Sequence, residues 1–198
     1  MEQWVDFDVV TREALRSTLA DLGVKEPANL EAFADAFTGL PLADGAGEAV
    51  RALHDAGVLT GILTNASERM LSGAAAAADL PFDHRLSVDA ARRFKPHPSV
   101  YQLAVDATGL PAEGIGFVTA NGWDAAGAGS FSFRVAWLRP GNSATLPAVG
   151  APLPTVATWP EIPAMFGASA TGTNDTPEAP GASSEREASA TAARKTGR

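Results

Sequence analysis

Apolar residues recur at helical spacing near the start of the chain and form short continuous runs farther along. Between residues 9 and 22 they return every three or four positions, which predicts an amphipathic helix. Runs such as 58–63 and 134–138 are typical of buried strands. Because strands and helices alternate, the pattern predicts an α/β fold, a parallel sheet with helices on both faces. The further predicted helices span 28–37, 44–56, 67–78, 98–109 and 124–131, and the further strands span 85–88 and 115–119.

Residues that stabilise helix ends support these boundaries. Asp8, Asp44 and Ser67 each precede a helical segment, so we expect their side chains to cap the first turns. Pro98 suits a first helical position, and His97 before it is a candidate cap. The glycines placed to end helices are Gly23, Gly57 and Gly109.

Composition excludes several classes of protein. The 198 residues, of which 45% are hydrophobic, suffice for one domain with a core, and no apolar run is long enough to span a bilayer. Without cysteine the chain forms neither disulfides nor thiolate metal sites. A net charge of −8 disfavours nucleic-acid and anionic-membrane partners, although one lysine in a cleft still binds a small anion. A cytoplasmic protein is the expectation.

The C-terminal stretch differs in kind from the rest of the chain. Residues 167–198 are mostly Ala, Ser, Thr, Gly, Pro and charged residues, with no apolar side chain larger than that of alanine. Such a segment buries too little surface to offset its conformational entropy. We therefore expect a disordered tail.

Polar residues follow the strand at 58–63 and precede the helix at 98–109. Thr64 and Asn65 stand just before a helix N-terminus, a place that binds anions, although capping of that helix by Ser67 is the simpler explanation of this segment taken alone. Lys95 lies in a loop bracketed by prolines, and Tyr101 follows one turn into the next helix. An exposed lysine and a half-buried tyrosine are the plain alternative.

A third polar group follows the strand at 115–119. Thr119, Asn121 and Asp124 stand where that strand gives way to a helix, and open α/β folds keep their ligands at such strand ends. The simpler interpretation is a polar turn whose acid favours the helix dipole. Trp123, between the amide and the acid, is more often a core residue than a ligand platform.

Together, and in this order, these motifs resemble the haloacid dehalogenase superfamily and, within it, the type II L-2-haloacid dehalogenases. The segment 64–66 is similar to the family's Ser-Asn-Gly motif, and 94–101 (FKPHPSVY) to its lysine motif. The segment 117–128 (FVTANGWDAAGA) resembles the motif around Asn-x-Trp-Asp that separates dehalogenases from phosphatases. The likeness implies a HAD-like Rossmannoid core over 41–166, after a partial helical cap over 1–40.

The same resemblance bears on metal binding. Phosphatase members hold Mg²⁺, which prefers carboxylate oxygens, and they place paired acids at this strand end. Here Asn121 takes the place of one acid and only Asp124 is charged. The resemblance therefore implies a displacement that uses no metal and no cofactor.

In the family an aspartate attacks the carbon that bears the halogen, and water then hydrolyses the resulting ester to a 2-hydroxy acid of inverted configuration. The resemblance implies that Lys95 keeps this nucleophile ionised. Thr119 and Asn121 would orient the nucleophile and the ester carbonyl. Asp124, held near Lys95, would position or activate the hydrolytic water.

Four further residues receive substrate-binding roles from the resemblance. Thr64 and Asn65 would donate hydrogen bonds to the substrate carboxylate and the departing halide. Tyr101 would bridge Lys95 or the substrate, and Trp123 would exclude solvent. The implied partner is a small 2-haloacid, and the likeness favours a homodimer.

The family's first strand, which carries the nucleophile in an apolar-Asp-x-x-Gly-Thr-Leu motif, has no counterpart in this sequence, and neither does its halide-binding arginine. That strand is central and lies between the strands that end at Thr64 and Thr119. We therefore expect a shortened dehalogenase that is inactive as written and folds to a molten or oligomeric state. Asp6 opens a literal Asp-x-Asp-x-Val, but too few residues precede it for a central strand.

Three alternatives stay open at this point. One is a phosphatase-like relative that uses Asp6 and Mg²⁺. Another is a non-catalytic protein in which Thr64, Asn65 and Lys95 hold a small carboxylate. The last is a relic gene whose pocket serves no function.

Overall fold

The structure, a computed structural model, describes residues 4–139 and 154–167, so all but Gly167 of the predicted disordered tail lies outside the described residues. The α-helices are α1 (Phe7–Asp21), α2 (Leu30–Asp35), α3 (Ala46–Asp55), α4 (Glu68–Ala78), α5 (Pro98–Thr108), α6 (Gly122–Ser130) and α7 (Ile162–Met165). The strands are β1 (Gly61–Thr64), β2 (His84–Ser87), β3 (Gly116–Thr119), β4 (Arg134–Leu138) and β5 (Thr155–Val156). Short 3₁₀ helices span Ala36–Thr38, Val88–Ala90, Ala112–Gly114 and Trp159–Glu161.

All described strands pair in parallel, as the alternation of strands and helices predicts. They form two sheets rather than one: β1 pairs with β2, and β3, β4 and β5 pair in that order. Thr64 at the end of β1 aligns with Ser87, and Thr119 at the end of β3 aligns with Trp137. Among the described strands, β1 and β3 are not hydrogen-bonded to each other. The resemblance implies that the family's first strand, which has no counterpart in this sequence, lies between these two.

Two of the predicted helix caps form and two do not. The Ser67 hydroxyl accepts a hydrogen bond from the Met70 amide, and the His97 ring accepts one from the Ser99 amide. The N-cap of α1 is Asp6, not Asp8, because the Asp8 carboxylate instead bonds to α4. The Asp44 prediction is also wrong: Gly45, at φ 79°, is the N-cap of α3, and no side chain caps it.

The core beneath the second sheet is aromatic. Tyr101 from α5 meets Phe117, Phe131 and Phe133, with ring centroids 5.7–6.0 Å from its own. Tyr101 is fully buried. This packing fixes α5 and α6 against β3 and β4, and those elements carry four of the candidate residues, Tyr101, Thr119, Trp123 and Asp124.

The C-terminal end of the described chain completes the second sheet. Val156 on β5 and Ile162 on α7 are buried against Ala136 and Leu138 of β4. Neither element is predicted by the sequence pattern, because a two-residue strand and a four-residue helix are too short to show a period. Together they cover the far edge of the sheet, away from β1.

Candidate functional site

A cavity of about 420 Å³ opens where the carboxyl end of β1 meets α4, α1 and the start of α6. Its wall is mainly apolar, with a few polar groups from the strand ends, a combination typical of small-molecule sites. The polar lining residues are Thr64, Asn65, Lys95 and Asn121. The apolar lining residues are Phe7, Phe37, Ile62, Ala66, Met70, Leu71, Ala74 and Trp123.

Lys95 is held at both ends. Its backbone N–H donates to Asn65 Oδ1 at 2.8 Å, which ties the proline-bracketed loop to the end of β1. Its ammonium Nζ donates to the Leu63 carbonyl at 3.1 Å and lies 5.4 Å from the centroid of the Phe117 ring. The cation therefore stands between β1 and β3, the two strands that do not pair.

The ammonium also forms a buried ion pair with Asp124. Lys95 Nζ lies 2.8 Å from Asp124 Oδ2, and the two side chains are only 9% and 2% exposed. Asp124 stands in the first turn of α6, where the positive end of the helix dipole favours a carboxylate. A buried pair of this kind needs its remaining hydrogen-bonding capacity satisfied to be tolerated.

Two hydroxyl groups donate the further hydrogen bonds that the buried Asp124 carboxylate needs. Tyr101 donates to Asp124 Oδ1 at 2.8 Å, and Thr119 donates to Asp124 Oδ2 at 3.2 Å. Thr119 Oγ1 in turn accepts the Asn121 backbone N–H at 3.2 Å. The structure thus brings Lys95, Tyr101, Thr119 and Asp124 into one connected network below the cavity.

Tyr101 does not lie where the sequence analysis expects it. It contacts neither the Lys95 ammonium nor the cavity, and its hydroxyl meets Asp124 from inside the core. The aromatic packing of its ring buries the hydroxyl, which is linked to Lys95 only through their shared partner Asp124. Its hydrogen bond fixes the carboxylate from below.

Burial, and then the neighbouring Asp124 carboxylate, raise the pKa of Tyr101 far above its ordinary value. Tyr101 is the only tyrosine in the chain, so spectrophotometric titration reports it alone. We predict no phenolate absorbance from the native chain at roughly pH 10–11, while the urea-unfolded chain titrates near roughly pH 10. Because only the unfolded state releases this proton, stability falls as the pH rises above that value. A native chain that titrates like free tyrosine contradicts the buried hydrogen bond.

Of the other predicted residues, Thr64, Asn65, Asn121 and Trp123 line the cavity with Lys95, whereas Thr119 and Asp124 do not. Thr64 Oγ1 accepts the Ala66 backbone N–H at 3.1 Å, and its hydroxyl hydrogen is free for a ligand. The Oδ1 of Asn65 is occupied by the Lys95 amide, so its amide nitrogen is the group left to donate. Asn121 is exposed at the cavity rim, and Trp123, which is 44% exposed, walls one side and is not a core residue.

The apolar wall from the N-terminal helices was not predicted. The ring centroids of Phe7 and Phe94 lie 5.7 Å apart, and Phe94 is the residue before Lys95. Trp4 stacks on the same Phe94 ring, with 4.8 Å between the ring centroids. Phe37 lines the cavity from the segment after α2. The three-residue spacing of Trp4 and Phe7, at the start of α1, is the one sequence signal that points to an aromatic contact.

A family model for haloacid dehalogenase-like hydrolases matches residues 3–131. The chain belongs to that family. An (S)-2-haloacid dehalogenase from Pseudomonas putida is 37% identical over 148 residues, and another from Xanthobacter autotrophicus is 39% identical over 139 residues. These matches cover 73% and 69% of this chain.

The chain spans 65% of the length of the Pseudomonas relative and 54% of the length of the Xanthobacter one. Among solved structures, an L-2-haloacid dehalogenase from Xanthobacter autotrophicus with chloropropionic acid covalently bound matches with a TM-score of 0.73. That match is 31% identical and covers 82% of this chain and 76% of the other. The α/β fold predicted from the sequence is thereby confirmed as that of the haloacid dehalogenase-like family.

The alternative reading of Asp6 as the start of a strand motif is wrong. Asp6 is the N-cap of α1, and its Oδ1 accepts the Asp8 backbone N–H at 2.8 Å. In the described ranges, no three His, Asp or Glu side chains are grouped closely enough to hold a metal ion. Within the same ranges no helix is long and apolar enough to cross a membrane.

Proposed function

We propose that this haloacid dehalogenase-like chain carries the substrate pocket and the hydrolytic residues of a 2-haloacid dehalogenase. The observation that carries the proposal is the buried Lys95–Asp124 pair, 2.8 Å apart, beside an apolar cavity with hydroxyl and amide donors. The names of the similar proteins support the proposal, and so does the chloropropionic acid bound covalently to one of them.

The cavity has donors for one end of such a substrate and an apolar wall for the other. The Thr64 hydroxyl and the Asn65 amide nitrogen would donate to the substrate carboxylate. Phe7 and Trp123 would enclose the carbon that bears the halogen and exclude water from it. A short 2-haloacid is therefore the substrate class that fits this lining.

The reaction needs two steps. The first step would need the family's nucleophilic aspartate, for which this sequence has no counterpart: its oxygen would attack C2, the new C–O bond would form, and the halide would leave with the electron pair of the carbon–halogen bond. Water then attacks the ester, the 2-hydroxy acid departs with inverted configuration at C2, and the aspartate is regenerated. Asp124 would take the proton from that water and return it to the oxygen of the departing 2-hydroxy acid, while Lys95 balances the charge.

One observation favours a second candidate function, the binding of a small carboxylate without turnover. Among the described residues, Asp124 is the only carboxylate that contacts Lys95. Asp124 is already bonded to Lys95, Tyr101 and Thr119, and it does not line the cavity, so it is poorly placed to attack C2. We therefore propose that the pocket of the 198-residue chain binds a 2-hydroxy acid. From a 2-haloacid the chain would release halide slowly or not at all.

Two measurements on the 198-residue chain test the proposal. By calorimetry we expect (R)-lactate, the product of inversion from (S)-2-chloropropionate, to bind more tightly than (S)-lactate. The Thr64→Val variant should bind (R)-lactate roughly tenfold more weakly, since it loses one hydrogen bond to a charged group. Thr18→Val on the outer face of α1 is the matched control.

Three outcomes are informative. Binding of (R)-lactate without chloride release from (S)-2-chloropropionate supports the pocket and the binding-only assignment. Chloride release by the chain supports the dehalogenase and overturns the binding-only assignment. Absence of any binding by the folded chain, or Mg²⁺-dependent phosphate release from a generic ester, overturns the proposed function.

A further inference from the structure

An arginine on α4 is bonded to both N-terminal helices. Arg69 Nη2 bonds to Asp8 Oδ1 on α1, and Arg69 Nη1 bonds to Asp35 Oδ1 on α2 at 2.9 Å. The second oxygen of Asp8 accepts a hydrogen bond from the Ser67 hydroxyl at the start of α4. One guanidinium and one hydroxyl of α4 therefore hold α1 and α2 at the same point.

We infer that Arg69 sets the closure of the ligand cavity by holding α1 and α2 against α4. The bonded residues lie next to or close to residues of the cavity wall along the chain: Asp8 follows Phe7, and Arg69 precedes Met70. Asp35 stands two positions before Phe37, which lines the third wall. The three walls therefore meet at a single guanidinium, and their separation depends on it.

The apolar attachment of α1 is weak, and this raises the share carried by the polar contacts. No residue of α1 is buried, and Val9 and Val10 are 39% and 36% exposed. The N-terminal segment is also held by the aromatic contacts of Trp4 and Phe7 to Phe94, by Thr38 packed on α4, and by the buried residues Leu30 and Ala34 of α2.

The environment of Asp8 agrees with a formed ion pair. Its side chain is only 14% exposed. Burial raises the pKa of this carboxyl, but hydrogen bonds from Arg69 and Ser67 outweigh burial and hold the pKa below its usual value. The Arg12–Glu31 pair, by contrast, joins α1 to α2 without touching α4, so it offers a matched control.

The test uses the 198-residue chain and hydrogen exchange followed by mass spectrometry. We expect Arg69→Gln and Asp8→Asn each to speed exchange of the α1 amides several-fold, and the double variant to add little, because both remove the same contact. Asp35→Asn removes only the contact of Arg69 to α2, so it should speed exchange of the α1 amides less. Arg12→Gln should leave the exchange of the α4 amides and the cavity-lining segments unchanged. If the α4 amides and the cavity-lining segments exchange at the same rate in Arg69→Gln as in Arg12→Gln, the inference is overturned.

A second readout concerns specificity and rests on the proposed function. If the cavity binds 2-hydroxy acids, Arg69→Gln should raise the affinity for the longer (R)-2-hydroxybutyrate relative to that for (R)-lactate. The reason is that α1 and α2 are no longer held against α4, so the cavity can widen. An unchanged ratio in a variant that exchanges faster would overturn the link between the contact and cavity size. If no variant binds either acid, the proposed function fails, while the exchange data still decide whether Arg69 holds the helices.

Discussion

Replacing Lys95 with methionine is expected to lower the free energy of unfolding by about 3–5 kcal/mol. It should also weaken binding of (R)-lactate, because the cavity lining loses its cation. The substitution leaves the Asp124 carboxylate buried and without its cation, and an uncompensated buried charge is costly. It also removes the donor to the Leu63 carbonyl. Urea denaturation measures the stability and calorimetry measures the binding. Lys25→Met, at an exposed position, is the matched control and should change neither.

A double variant separates the two effects. Lys95→Met combined with Asp124→Asn removes both charges but keeps an acceptor for Tyr101. Because no unpaired charge is left, we expect much of the lost stability to return. Binding should not return, since the cavity still lacks its cation. Equal stability of Lys95→Met and the Lys25→Met control would contradict the buried pair.

Replacing Gly127 with alanine is expected to destabilise the chain by about 1–3 kcal/mol through overpacking. A Cβ at this position would lie 2.5 Å from the Tyr101 hydroxyl and 2.7 Å from Pro96 Cβ. Relief requires the tyrosine to leave Asp124 or the loop that carries Lys95 to move. The cost should therefore appear both in urea denaturation and in the titration of Tyr101, which shifts toward ordinary values.

The partner of this clash can be identified by combining variants. In a Tyr101→Phe background the hydroxyl is absent, so Gly127→Ala should cost less than in the native background. Gly39→Ala is the control, because nothing lies within 4 Å of its added Cβ. The same cost in both backgrounds would show that Pro96 alone resists the substitution and that α6 does not set the Tyr101–Asp124 contact.

Features with a local cause were predictable from the sequence. Ser67 and His97 cap the helices that follow them because their partners lie two or three residues away. Asp8 has the same local pattern but bonds to Arg69, which is 61 positions later. The spacing of apolar residues along the chain does not reveal that distant partner. It therefore predicts Asp8 as the cap of α1 when the cap is Asp6.

The candidate site divides in the same way. The strand-end positions of Lys95, Thr119 and Asp124 follow from motif order, and the structure brings the three side chains into contact. The position of the Tyr101 hydroxyl depends on the face of α5 that packs into the core. Contacts of its ring with the surrounding phenylalanines set that orientation, and they are not visible in the sequence. The apolar wall formed by Phe7 depends on how α1 docks, which no spacing along the chain reveals.

A crystal structure of the 198-residue chain soaked with (R)-lactate tests the central claim most directly. The account predicts the carboxylate of the acid within hydrogen-bond distance of the Thr64 hydroxyl and the Asn65 amide, with its methyl group against Phe7 or Trp123. It also predicts that the ion pair between Lys95 and Asp124 stays in place beneath the ligand. Lactate bound elsewhere at saturating concentration, with this cavity empty, would contradict the account.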